Sequence, residues 1–296
     1  MAGGQERVLR RRIKSVQATR KITKAMELIA ASQIGRSQAR IAANRPYRAG
    51  MRRIVVEAAL GDPAAAAKLL ATPDVVTATV VLVIAGDRGL SGPYNSTVLR
   101  HAERLVRELR AQGSLVRLFT VGKKAAPFFR FRGLDVEYSW QGFADRPSFS
   151  DARQVALGVL APFLAGEAQR VLVVSTRFRS AGVQEVTTEQ LLPLVVDDSI
   201  RPQTSGLHGY TEFEPDVEKL LADLAPTALE SEIFTALLEG AASFHTSQQR
   251  AMAAATDNAD ELSRNLTRVM NQARQDSITT EIMEIVGGAE ALRSGK

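Results

Sequence analysis

Across residues 5–45 apolar positions recur at spacings of three and four, with no proline and a single glycine, Gly35. The pattern predicts one helix, roughly 60 Å long at 1.5 Å per residue. Pro46 is expected to kink or restart it, because proline removes a backbone donor and crowds the preceding turn. Helical patterning resumes through YRAGMRRIVVEAAL. One portion departs from the rule for a surface helix. In KITKAMELIAAS, residues 21–32, Ile22, Met26 and Ile29 keep helical spacing, yet Ala25, Leu28, Ala30 and Ala31 fill the other faces. A helix lying on a core shows one apolar stripe and one polar face. This one needs cover on more than one side.

After a breaker region, GDPAAAAKLLATPD, the period changes at Val75. VVTATVVLVIAG is β-branched and short, which predicts a buried strand. NSTVLRHAERLVRELRAQG predicts an amphipathic helix, SLVRLFTVG a second strand, GKKAAPFFRFRG a short helix and LDVEYS a third strand. SDARQVALGVLAPFLAGE predicts a helix, QRVLVVSTRF a fourth strand and EVTTEQLLPLVV an edge strand. Such alternation implies a mostly parallel sheet covered on both faces. The α/β domain is expected over residues 75–208.

RPQTSGLHGYTEFEPD, 201–216, is loop-like, and helical patterning then lasts from Val217 to Val286, interrupted by Pro226. From Thr227 to Val286 this allows roughly 90 Å of helix. Leu262, Leu266, Val269 and Ala273 step by four, three and four, and Ile278, Ile282 and Ile285 do likewise, the spacing of a packed seam. An Asp at Ile282 is therefore expected to disrupt pairing. The fold class expected is α/β: a long antiparallel coiled coil of N- and C-terminal helices plus a Rossmann-like domain with a mostly parallel sheet. The divisions are 1–60 for the N-terminal helix, 75–208 for the α/β domain and 212–290 for the C-terminal helix. A domain of about 130 residues has a radius of gyration near 14 Å. Helices this long cannot hide against it, so another protein is expected to cover them.

Charge sharpens that expectation. The chain carries a net +6, but from Glu6 to Arg53 there are fourteen Lys/Arg against two Glu, a net of +12. From Glu212 to Lys296 seven basic residues face fifteen acidic ones, a net of −8. The ends are electrostatic complements. The basic run RVLRRRIKS fits a phosphate backbone or an acidic protein surface; the acidic arm in the same chain weakens the nucleic-acid reading. The 296 residues contain no cysteine, which excludes disulfides, thiolate metal sites and cysteine nucleophiles. No run of about 18 apolar residues predicts a membrane span, and MAGGQERVLRRRIK lacks the apolar core of a secretory signal.

The sharpest local motif is IAGDRGLSGPYN, residues 84–95. A glycine-rich turn before a helix can hold an anion, but the spacing matches neither G-x-G-x-x-G nor the P-loop. VGKKAAP lacks the hydroxyl that would follow a P-loop lysine. A structural strand-to-helix turn is the expectation. His101, His208 and His245 are scattered without metal-ligand spacing. No cofactor, metal site or catalytic set is predicted.

Taken in order, RRIKSVQATRKITKAMELIAAS, GDRGLSGPYN, FEPD before a long helix, ATDNA at 255–259 and NQARQDSITTEIMEIVGGAEAL resemble the γ subunit family of rotary, proton-driven ATP synthases. The resemblance covers essentially the whole chain. It implies a central rotor shaft inside a head of three α and three β subunits. The α/β domain would join an ε subunit and the membrane ring of c subunits. Rotation of that ring would drive the β catalytic sites through their nucleotide affinities and set ATPase activity and proton flow. The chain itself would carry no catalytic group and bind no cofactor. Its expected place is the cytoplasmic face of a bacterial cell membrane, as a peripheral protein without a span.

By matched position, Lys24 and Met26 fall where the family's shaft faces an acidic lever loop of a β subunit. Arg274, Gln275 and Thr279 match the polar catch that hydrogen-bonds another β loop. Departures are Ser91 and Pro93, where the family's loop commonly has cysteine and glycine. In SFHTSQQRAM, Phe244 and Gln249 are unusual, and Gln248 replaces an arginine expected to meet the β lever. The cysteine-bearing insert of the plant thiol-switched form does not occur.

Overall fold

The computed structural model describes residues 2–61, 75–194 and 216–294. The expected breaker at 62–74, the loop at 201–215 with His208 and most of FEPD, and the last two residues of the expected edge strand lie outside them. The elements run α1 (Ala2–Gly61), β1 (Ala78–Ile84), α2 (Tyr94–Ala111), β2 (Leu115–Val121), α3 (Ala125–Phe131), β3 (Tyr138–Trp140), α4 (Phe149–Leu164), β4 (Arg170–Phe178), β5 (Gln184–Leu192) and α5 (Val217–Ser294). Two compact units divide the chain, one of residues 1–29 and 249–296, the other of residues 30–248.

In the unit of residues 30–248 the sheet order is β3-β2-β1-β4-β5. β1 pairs in parallel with β2 and β4, β2 with β3, and β5 closes the edge antiparallel to β4. The fold is the expected α/β class, mostly parallel. β1 is central, and all seven of its residues are buried, which is why its sequence is a continuous aliphatic run instead of an alternation. Its side chains still divide by face. Val80, Leu82 and Ile84 join a core with Val155 and Val159 of α4 and with Leu229, Ile233 and Leu237 of α5. Val81 and Val83 face Val98, Ala102 and Val106 of α2 and Phe129 of α3. One long terminal helix is thus also a layer of the sheet domain. A capping box starts α4: Asp151 N–H donates to the Ser148 hydroxyl while the Ser148 N–H donates to the Asp151 carboxylate.

Both prolines expected to break helices lie inside them, Pro46 in α1 and Pro226 in α5. An interior proline costs about 3 kcal/mol, so tertiary contacts must offset it. Around Pro46, Asn44 Nδ2 donates to Thr235 Oγ1 at 2.8 Å and Arg48 grips Glu232 at 2.6 and 2.9 Å. Val55, Ala58 and Ala59 then pack with Leu221 and Ala228. The ascending numbers on α1 meet descending numbers on α5, so the two helices run antiparallel here, and that pairing holds α1 helical across the proline.

Candidate functional site

In the unit of residues 1–29 and 249–296, the helices also pair antiparallel: Arg20 meets Asp260 at 2.5 Å and Thr23 meets Thr256 at 2.8 Å. Each hydroxyl also has a main-chain acceptor, Arg20 O for Thr23 and Met252 O for Thr256, so either can donate across the pair. Met252, Thr256 and Ala259 are buried, and Ser263, Leu266, Met270, Ala273 and Ser277 are half-buried. They advance by alternating fours and threes, a heptad seam. On α1 the inner positions are Leu9, Ile13, Val16, Thr23 and Met26.

This is a different seam from the one expected. Leu266 and Ala273 belong to it, but Leu262 and Val269 are 42% and 41% exposed. Ile278, Ile282 and Ile285 are exposed as well, which removes the ground for expecting Asp at Ile282 to break the pair. In KITKAMELIAAS, Ile22, Leu28 and Ile29 are each about 60% exposed while Thr23 is buried. The physical reason is size. Around Thr23, Thr256 and Ala259, small and hydroxylated side chains let the two backbones approach closely, and Ile22, Leu28 and Ile29 are left on the outer faces.

The expected interface residues fall into two sets on this unit. Lys24 is exposed and its ammonium lies 3.0 Å from Glu27; Met26 is half-buried beside the seam. Arg274, Gln275 and Thr279 are exposed on α5 and share an outward arc. They lie beside a groove lined by Gln5, Val269, Gln272, Ala273, Asp276, Ser277 and Thr280. The structure groups the latter three together and does not bring them to Lys24, which lies about 30 Å away at 1.5 Å per residue along the pair.

In the other unit, the glycine-rich turn lies at the carboxyl ends of β1 and β2, where open α/β sheets hold ligands. Here its groups are engaged by the protein. Asp87 accepts from the backbone N–H groups of Lys123, Gly142 and Ala144 at 2.9–3.0 Å. Asn95 accepts from Gly86 N–H at 2.8 Å and donates to Arg88 O at 2.9 Å. Gly122, at φ +98°, approaches Ala85 O so closely that a Cβ would sit 2.3 Å from it. Phe244 of α5 fills the mouth, stacked edge-on against Tyr94 and 3.1 Å from where a Gly86 Cβ would be. Burial pushes the Tyr94 hydroxyl pKa far above its ordinary value. Sequence reasoning flagged Phe244 as unusual but gave Asp87 no role. Three neighbouring glycines were the visible signal, and the carboxylate that organises them is recognisable only once β1, β2 and β3 are adjacent. Gln248 is half-buried near the end of this unit.

A family model described as ATP synthase matches residues 5–292. The ATP synthase gamma chain of Parafrankia sp. (strain EAN1pec) is 45% identical over 296 residues, 99% of each chain. That of Kineococcus radiotolerans is 45% identical over 296 residues, 98% of each. Among solved structures, a chain of the Euglena gracilis mitochondrial ATP synthase OSCP/F1/c-ring is similar with a TM-score of 0.67 at 18% identity, over 99% of this chain and 96% of that one. A chain from the central stalk/c-ring of the Tetrahymena thermophila mitochondrial ATP synthase gives 0.63 at 23%, over 79% and 99%. At those identities the likeness is one of fold.

Proposed function

The chain belongs to the ATP synthase gamma chain family, and from that premise we propose how it works as the central rotor shaft. One observation carries the reading: the helix pair of residues 1–29 and 249–296 leaves many of its large aliphatic side chains on outer faces. Ile22, Leu28, Ile29, Ile278, Ile282, Met283, Ile285 and Val286 are all exposed. Covering a half-exposed side chain of this size contributes about 1 kcal/mol. A surrounding ring of α and β subunits supplies that cover. Because these groups lie on several faces, the gain changes little as the shaft turns.

Orientation must then be read by polar contacts, which are directional and stronger one by one. A charge-assisted hydrogen bond contributes about 1.5–3 kcal/mol. Arg274, Gln275 and Thr279, exposed together, form the catch for one β subunit at a time. Lys24 and Met26 meet the acidic lever of a β subunit, with Glu27 competing for the Lys24 ammonium. Gln248 offers no charge to that lever. Coupling follows because contacts that differ among orientations shift the affinities of the β sites. The terminal helices, 1–60 and 212–290, are the shaft. The α/β domain, 75–208, is the foot that engages ε and the c-ring.

The catalytic groups belong to the β subunits, and this chain supplies none and holds no cofactor. No helix among the described residues is long and apolar enough to cross a membrane, and the working position is peripheral, on the cytoplasmic face of the bacterial cell membrane. Reconstitution with α and β chains tests the reading. ATPase activity is expected in the mixture, and Arg274→Ala with Gln275→Ala should lower coupled turnover severalfold while the α/β domain melts unchanged. Unaltered coupling would remove both residues from the catch. Failure of the chain to join α and β would end the shaft reading.

A further inference from the structure

Where α5 crosses the filled crevice, two titratable side chains are left with an uneven set of hydrogen-bond partners. His245 is 5% exposed. Its Nε2 lies 3.1 Å from the Asp145 carbonyl oxygen, an acceptor, so Nε2 carries the hydrogen and the neutral ring presents Nδ1 as a bare acceptor. Nδ1 is inaccessible and has no partner among the described residues. The Asp145 carboxylate is in a similar position. Its Oδ2 forms an ion pair with Arg88 Nε at 3.1 Å, and its buried Oδ1 has no partner among the described residues. Two orphaned acceptors on two residues already in contact lack one hydrogen. Burying such groups unpaired is costly.

We propose that His245 and Asp145 form one buried proton-binding site that fastens α5 to the segment between β3 and α4. A proton drawn from solvent adds to Nδ1, or to the carboxylate, and converts one of the two acceptors into a donor. The groups facing the site are Arg88 and Asp87 from the turn after β1, Tyr94 from α2, and Arg146 beside Asp145. Burial lowers the His245 pKa, opposed by the Asp145 carbonyl and charge and reinforced by Arg146 and Arg88. Burial raises that of Asp145, opposed first by Arg88.

The two contributions to stability have opposite signs. The lowered imidazole value adds stability at high pH that is lost as pH falls. The raised carboxylate value adds stability as pH falls, since the folded state protonates first. Uptake of the shared proton is therefore expected between the ordinary values, 3.8 for Asp and 6.5 for His, and the apparent midpoint belongs to the pair. The site stands on these contacts whether or not the chain works as a shaft.

The chain has three histidines, so histidine-labelled full-length protein yields a readable nitrogen spectrum, with His245→Gln assigning the signal. The expected spectrum has the Nε2–H tautomer at pH 8 and a midpoint below that of a free imidazole, because burial disfavours the charged ring. Asp145→Asn should lower the midpoint further, by removing the attracting charge. Arg88→Gln, at a largely exposed guanidinium, should raise it, and this variant is expected to fold even where Asp145→Asn does not. A midpoint at the free-imidazole value, or one that neither variant moves, would overturn the proposal.

Discussion

The two units differ in how many of their large aliphatic side chains they bury. In residues 30–248, Leu82, Ile84, Ile233 and Leu237 are at most 2% exposed and join one core. In residues 1–29 and 249–296, Ile22, Ile282 and Ile285 are 60%, 55% and 72% exposed, while the buried positions mix Ile13 and Met252 with Thr23, Thr256 and Ala259. Both patterns occur on one continuous helix, α5. Residue type alone therefore does not say which side of a helix is inside. What lies next to the helix does.

That contrast can be broken at its strongest point. Ile233→Ala removes a fully buried side chain between the sheet and α5 and is expected to cost about 3 kcal/mol. Denaturant unfolding of the full chain would read this as a lower midpoint at unchanged slope. A loss below about 1 kcal/mol would mean that the core relaxes around the gap.

Next in size is Asp87→Ala, which leaves three backbone N–H groups without their acceptor. Two of those bonds are solvent-exposed, so the expected cost is about 2 kcal/mol. Hydrogen exchange should become faster at Lys123, Gly142 and Ala144, and protection equal to wild type at all three would deny Asp87 its organising role.

A smaller effect is expected at the hydroxyl pair of the other unit. Thr23→Val and Thr256→Val each leave the remaining hydroxyl with a main-chain acceptor, Met252 O or Arg20 O. A double-mutant cycle should then give a coupling of about 1 kcal/mol or less. A much larger value would mean that this bond, and not close packing, sets the register. The smallest effect belongs to Ile282→Asp. At an exposed position it should change the stability of the isolated chain by no more than about 0.5 kcal/mol, while assembly with α and β chains weakens. A large loss in the isolated chain would place Ile282 inside after all.

Much of the fold could be read from the order of residues. The aliphatic run of β1, the amphipathic pattern of α2 and the return to strand character at β2 and β4 each follow from local periodicity. Their alternation implied the parallel sheet that β1, β2, β3 and β4 form. The seam of the helix pair could not be read the same way. Within residues 259–277 the two readings share Leu266 and Ala273, but one adds Leu262 and Val269 and the other Ala259, Ser263, Met270 and Ser277, and hydrophobicity alone favours the first. The prolines misled for a related reason, since their local cost is fixed but the contacts that offset it come from residues about 190 positions away along the chain.

Sequence by itself determined the element types, their order, the charge asymmetry of the two ends and the family. These rest on local backbone preference and on many matched positions, neither of which needs a neighbour in space. Tertiary structure decided which faces of α1 and α5 meet, that Phe244 fills the crevice, that Asp87 gathers three strand ends, and that His245 lies on Asp145. Each is a choice among alternatives that are locally equal in energy, and only packing of distant segments separates them.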